Sequence, residues 1–262
     1  MEPQLLIERN EGTLVLTISN PERRNALAPA IYQAGIAALG AAQLDTSVSA
    51  VVLTGAGATF CSGGNLTTLL ANRERDPEVQ GANIDLLGQF VTALRGSVKP
   101  VIAAVEGIAA GAGLSLVLAC DMIVATHEAR FVMSHVRVGL SPDGGGTWSL
   151  ARLLPRQLAF ELAVLGEPVA ASRLAQAGVV NVLAAPGSAL EDALALGEKL
   201  ARLAAPAIAA IKGLITQAGE PEATLAVQLA LERASFLGCL YHPNGQEGIA
   251  AFLEKRPPIF RS

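Results

Sequence analysis

Charge is scarce in this chain. Asp, Glu, Lys and Arg make up 16% of its 262 residues, and 19 basic side chains face 23 acidic ones, for a net charge of −4. No Lys/Arg cluster occurs, and a nucleic-acid footprint needs one, which argues against nucleic acid as the main partner. Cysteine and histidine are rarer, with three of each. Cys61, Cys120 and Cys239 are an odd number at no metal-ligand spacing, which fits a reducing, cytoplasmic compartment. His127, His135 and His242 form no HxxxH pair, so no metal site is expected. The start, "MEPQLLIERNEG", lacks a charged segment followed by an apolar one, so no signal peptide is expected. The most apolar stretch, residues 101–119, is broken by Glu106 and by Gly107, Gly111 and Gly113. It reads as a buried strand plus a helix, and no membrane partner is expected.

Two nucleotide signatures are also missing. No GxxxxGK[ST] occurs, which excludes a P-loop. "GAGLSL" and "GAGATF" carry Leu116 and Phe60 where a dinucleotide fingerprint needs its third glycine.

What is abundant is apolar residue, 51% of the chain, enough for a sizeable core. "LLIERNEGTLVLTIS" predicts two short strands around the turn Asn10-Glu11-Gly12, the second ended by Asn20-Pro21. "LAPAIYQAGIAALGAAQL" predicts a helix with Pro29 near its start. "SAVVLTG" (49–55) and "KPVIAAVEG" are buried strands. Between them, "LLANRERDPEVQG" reads as a mobile loop and "ANIDLLGQFVTALRG" as a helix. "GAGLSLVLACD" opens a buried helix, "MIVAT" is a third strand, and "ARFVMSH" is a short extended segment. From Thr147 the chain is Ala/Leu-rich helix, interrupted by a strand at 178–183 and all helical after about Ala189. Alternating strand and helix give an α/β class with largely parallel pairing.

Three features can carry chemistry. Two glycine-rich turns, "CSGGN" and "GAG", each leave a buried strand. Free N–H groups at such turns can bind a developing anion, though ordinary strand-to-helix connections look the same. "LSPDGGGTW" (140–148) is a tight turn containing Asp143. Local physics favours Asp143 as a helix cap; as a base it would have to turn its carboxylate into a cleft. Ser115, His135 and Asp143 could form a hydrolytic triad, but no GxSxG elbow surrounds the serine.

Five segments together resemble the crotonase (enoyl-CoA hydratase/isomerase) superfamily: "NPERRNAL", "FCSGGNL", "KPVIAAVEGIAAGAGLSLVLACDMIVAT", "GLSPDGGGTWSLARLLP" and "EGIAAFLEKRPPIF". The resemblance implies an α/β, crotonase-like spiral of ββα units over 1–190. It implies a C-terminal helical trimerisation region over 191–262, in a homotrimer or hexamer. It implies an acyl-CoA substrate, with coenzyme A as part of that substrate and no further cofactor. By position, the Gly64 and Ala112 N–H groups would form an oxyanion hole. Arg24, Ala26 and Leu27 would flank CoA, with Ser62, Asn65 and Leu66 at the same turn. Phe252 and Lys255, from the same or a neighbouring chain, would meet its adenine and phosphate. On this reading Leu140, Trp148 and Met133 are expected to line the acyl pocket, with His135 as pocket wall or base.

Departures from the family pattern bear on the reaction. The two glutamates of its hydratases fall at Ser115 and His135 and are absent, and Asn65 stands where Asp is usual. Hydration needs a base for water and an acid for carbon. Asp143, in a P-D-x-G-G-T-W pattern like that of the ring-epoxide isomerases of phenylacetyl-CoA catabolism, remains as the acid/base. The expected activity is therefore acyl-CoA isomerisation, enoyl-CoA or ring 1,2-epoxyphenylacetyl-CoA in type. Thioester hydrolysis, dehalogenation and weak enoyl-CoA hydration are the alternatives.

Overall fold

The computed structural model describes residues 2–260. The chain begins with an antiparallel hairpin, β1 (Gln4–Asn10) and β2 (Thr13–Ser19), as its turn residues predict. A short 3-10 turn, Pro21–Arg23, leads to α1 (Pro29–Leu44), β3 (Ala50–Gly55), α2 (Leu66–Asn72) and α3 (Pro77–Gly96). Then come β4 (Val101–Val105), β5 (Ile108–Ala110), α4 (Ala112–Ala119), β6 (Met122–Thr126) and β7 (Arg130–Val132). A second 3-10 turn, Ser134–Val138, precedes α5 (Gly146–Leu153) and α6 (Arg156–Leu165). After β8 (Val169–Ala170), α7 (Ala171–Gln176) and β9 (Val182–Ala184), four helices finish the chain: α8 (Ala189–Ala201), α9 (Ala205–Ala218), α10 (Leu225–Leu240) and α11 (Pro243–Leu253).

Six strands form one sheet in the order β1-β2-β3-β4-β6-β9, parallel from β2 onward. A second sheet, β5-β7-β8, stands beside it. β3 and β4 are buried along their whole length, which is why they read as unbroken apolar runs. Side chains alternate across a strand. Val51, Leu53, Val101, Ala103 and Val105 enter the main core, and Val52, Ile102 and Ala104 enter a second core closed by Ala189 and Ala193 of α8. On the first side α1 lies close on α3. A Cβ at Gly35 would come within 2.3 Å of Phe90, so only glycine permits that approach. The 190/191 division expected from the resemblance falls inside α8, a helix that covers the sheet. It is α9 and α10 that have no buried residue.

Two expectations fail. Residues 69–81 are mostly helical, not a loop: Asp76 caps α3 by accepting the Glu78 N–H at 3.0 Å, and Pro77 occupies the first turn, where its missing N–H costs nothing. The strand expected at 178–183 is confined to Val182–Ala184, because Val179 and Val180 hydrogen-bond back to Leu174.

Candidate active site

The two glycine turns are bound to each other. Cys61 donates its N–H to Ile108 (3.0 Å) and accepts from the Ala110 N–H (2.9 Å), a parallel bridge that sets residues 61–64 beside 109–112. Gly63 has φ +90°, and a Cβ there would lie 2.8 Å from the Ala110 carbonyl oxygen and 3.4 Å from the Ala112 nitrogen. Gly111 has φ +53° and ψ −127°, a conformation that side chains resist. The turn chemistry therefore exists to bring Gly64 and Ala112 together, and both line one cavity. Among the described residues neither N–H has a backbone acceptor. Ala112 opens α4, whose first N–H groups have no partner within the helix and carry its positive dipole end. Two such N–H groups on residues lining one cavity are suited to an anion.

The segment after β2 is pinned to the same turn. Buried Asn25, at φ +57°, donates to the Ala56 and Thr59 carbonyls (2.9 and 2.7 Å) and accepts from the Asn20 N–H (3.0 Å). Leu27 donates to Gly63 (2.8 Å) and Ser62 to Arg24 (3.0 Å), so each segment holds the other's backbone. Leu27 reaches the cavity wall, Ala26 is buried, and the Arg24 side chain is exposed. The sequence reading passed over Asn25; its signal is an asparagine closing a Pro-containing turn, where the left-handed conformation is needed. Asn65 caps α2, its Oδ1 accepting the Thr67 and Thr68 N–H groups (3.0 and 3.4 Å), and Leu66 is exposed.

Asp143 does not cap α5. That position belongs to Gly145, at φ +72°. The main-chain carbonyl of Asp143 accepts from the Gly146 N–H (3.1 Å) and from Ser115 Oγ (2.9 Å), which anchors the turn. Asp143 lines the cavity together with Gly64 and Ala112. Oδ1 lies 3.1 Å from His135 Nε2. Two of the glycines that follow are closely packed: a Cβ on Gly144 would sit 3.1 Å from Ser115 Cβ, and one on Gly146 would sit 2.7 Å from Ser115 Oγ and from Met133 Cε. Ser115 is fully buried and its hydroxyl is committed to a backbone carbonyl, so it is no nucleophile.

Tyr32 of α1 lines the same cavity, though the sequence reading missed it. Burial, and then the nearby Asp143 carboxylate, push its phenol far above the usual tyrosine range, so it stays neutral. Apolar Leu69, Ile84 and Leu87 from α2 and α3 complete the wall, around about 70 Å³ of water-accessible space. Asp143 is the one carboxylate among the lining residues.

The remaining expected site residues lie elsewhere. Trp148 is sandwiched between the Arg95 and Arg152 guanidiniums (4.1 and 3.9 Å from its ring centre) and lines a separate cavity of about 510 Å³ with Asp121 and Lys212. Leu140, Phe252 and Lys255 are exposed, Phe252 by 82%. Among the described residues no three His, Cys, Asp or Glu side chains could hold a metal, and no helix is long and apolar enough to cross a membrane.

Comparison with known proteins places this geometry. Residues 8–262 match the family model described as enoyl-CoA hydratase/isomerase. The chain is 36% identical over 258 residues to the 2,3-dehydroadipyl-CoA hydratase of Escherichia coli, covering 98% of each. It is 33% identical over 261 residues to the 1,2-epoxyphenylacetyl-CoA isomerase of the same organism, covering 98% of this chain and 97% of that one. Among solved structures, an enoyl-CoA hydratase from Polaromonas is 54% identical, with a TM-score of 0.96 over 98% of this chain and 100% of that one.

Proposed function

Because the chain belongs to the enoyl-CoA hydratase/isomerase (crotonase) family and is an acyl-CoA enzyme, we propose that it isomerises an acyl-CoA thioester with Asp143 as its single acid/base. The observation that carries this reading is one cavity lined by Asp143, its one carboxylate residue, and by Gly64 and Ala112, whose N–H groups have no backbone acceptor among the described residues. The thioester oxygen accepts from Gly64 and Ala112. Asp143 takes a proton from carbon, and the electrons of that C–H bond move into the thioester, leaving its oxygen negative. The two N–H groups stabilise that charge, and losing one such donor costs roughly 10²–10³ in rate. With an enoyl-CoA, Asp143 then returns the proton at a different carbon; with the ring epoxide, the enolate's electrons instead break the C–O bond at the adjacent ring carbon and the freed oxygen takes the proton, so in either case nothing is gained or lost overall. The substrate is enoyl-CoA or ring 1,2-epoxyphenylacetyl-CoA in type, and the scheme uses no cofactor beyond the CoA that the substrate carries.

Hydration requires two proton-transfer groups. Ser115 and His135, which stand where the family's hydratases have glutamates, do not supply them: the first is locked to a carbonyl and the second is bonded to Asp143. The CoA moiety runs past Arg24 and Ala26 toward Phe252 and Lys255 of the same or a neighbouring chain. The exposed Ile211, Ile215, Leu225, Leu229 and Phe236 of α9 and α10 support self-association as a trimer or hexamer.

A panel of 2-enoyl-, 3-enoyl-, dienoyl- and 1,2-epoxyphenylacetyl-CoA tests the reading. The expected product has unchanged mass and a shifted double bond or opened epoxide. Products heavier by one water, or free CoA thiol, with no isomer formed, would overturn it.

A further inference from the structure

His135 adjoins both halves of the site. Its Nε2 lies 3.1 Å from Asp143 Oδ1, and its ring rests against Gly111, where a Cβ would meet Cε1 at 3.6 Å and Nε2 at 3.7 Å. Gly111 immediately precedes the Ala112 N–H, so one imidazole abuts the carboxylate on one side and the N–H turn on the other. The side chain is only 11% exposed, against 31% for Asp143. Its other nitrogen, Nδ1, is buried and has no hydrogen-bond partner among the described residues.

That orphaned atom selects the tautomer. A neutral ring protonated at Nδ1 would bury an N–H with no acceptor among the described residues and would aim the Nε2 lone pair at a carboxylate oxygen. With its proton on Nε2, the ring donates to Asp143 and leaves at Nδ1 only a bare lone pair.

Resting on the reading of Asp143 as the acid/base, we propose that His135 is a positioning residue: its Nε2–H fixes Oδ1 so that Oδ2 alone faces the reacting carbon. His135 exchanges no proton itself, since its one proton already points at Asp143. This role differs from the pocket wall or base expected from the sequence. A carboxylate free to rotate would present either oxygen, and misplacement by about 1 Å costs on the order of 10²-fold in rate.

Three variants test this: His135→Phe, His135→Gln and Asp143→Asn, each assayed on the member of the panel that the wild type turns over fastest. His135→Phe is expected to lower kcat by about 10–100-fold with KM within about threefold. His135→Gln, whose amide can donate to Oδ1, is expected to recover most of that loss. In 15N NMR of the wild-type protein at a pH where the ring is neutral, His135 is expected to show protonated Nε2 and unprotonated Nδ1. A wild-type kcat in His135→Phe, no recovery in His135→Gln, or a protonated Nδ1 overturns the positioning role. The NMR result stands even if His135→Phe does not fold. A wild-type rate in Asp143→Asn instead overturns the underlying reading of the site.

Discussion

Replacing Asp143 by Asn separates catalysis from capping, because the two roles predict opposite losses. The variant keeps almost every contact that Asp143 makes. Its main-chain carbonyl still accepts from Ser115 (2.9 Å) and Gly146 (3.1 Å), and the amide Oδ1 can still accept from His135 Nε2. No helix N–H depends on the side chain, since the cap of α5 is Gly145. What is lost is the charge assistance in one hydrogen bond, so stability should fall by no more than about 1 kcal/mol. In a chain of this size that moves Tm by roughly 2–4 °C. The rate should fall far more. An amide cannot accept the proton, and proton transfer by a positioned group contributes about 10²–10⁴-fold, equivalent to about 2.7–5.4 kcal/mol of barrier. KM should change little, because the groups proposed to hold the CoA moiety are untouched. The assay is steady-state isomerisation monitored by chromatography, paired with a calorimetric scan. Wild-type kcat, whatever the change in Tm, would refute the assignment and return Asp143 to a structural role.

Ser115→Ala removes one of two hydrogen bonds to the Asp143 carbonyl and should cost about 1 kcal/mol in denaturant unfolding. Its kcat should fall less than tenfold, whereas loss of a true nucleophile costs on the order of 10⁶. No lysine or arginine lines the cavity, and Asp143 is its one anion. A second carboxylate ending the acyl chain about 10 Å from Asp143 should cost about 1.7 kcal/mol at an effective dielectric of about 20. Hexenoyl-CoA should therefore show a kcat/KM at least about tenfold above that of 2,3-dehydroadipyl-CoA, and equal values would contradict the argument. At the C-terminus, Glu247 pairs with Arg256 and accepts the Ile259 N–H, interactions that hold its carboxyl down at about 2. A lowered acid stabilises at pH above its unfolded value and loses that effect as pH falls through the folded one. Amide protection at Ile259 should hold at pH 6, decline below about pH 4.3, and be gone near pH 2, earlier at high salt. Protection unchanged at pH 2 would show that the carboxylate does not secure the tail.

The strands legible in the sequence are those whose environment is uniform. β3 and β4 are buried on both faces, and the hairpin is closed by a turn whose residues suit it. β5, three residues, and β8, two, are too short to show a period, and β7 shows in the sequence only as an extended segment; the pairing of all three depends on partners far along the chain. The helices at 66–72 and from 77 had local signals. Asp76-Pro77 is a cap followed by a first-turn proline, and the same proline amid charged residues also fits a loop.

Asp143 and Trp148 show what one-dimensional order conceals at the site. They are five residues apart in a motif that reads as one unit, yet they line different cavities. Between them the chain passes through two left-handed glycines and enters a helix, and Trp148 comes to rest between Arg95 and Arg152. Asp143 is turned the other way by a hydroxyl 28 residues earlier, on a helix of another ββα segment, and is met by an imidazole eight residues earlier. Neither force belongs to the turn. Local chemistry alone therefore favoured a cap, and the carboxylate's direction is decided by Ser115 taking hold of the backbone, which leaves the side chain nothing to do for the helix it precedes.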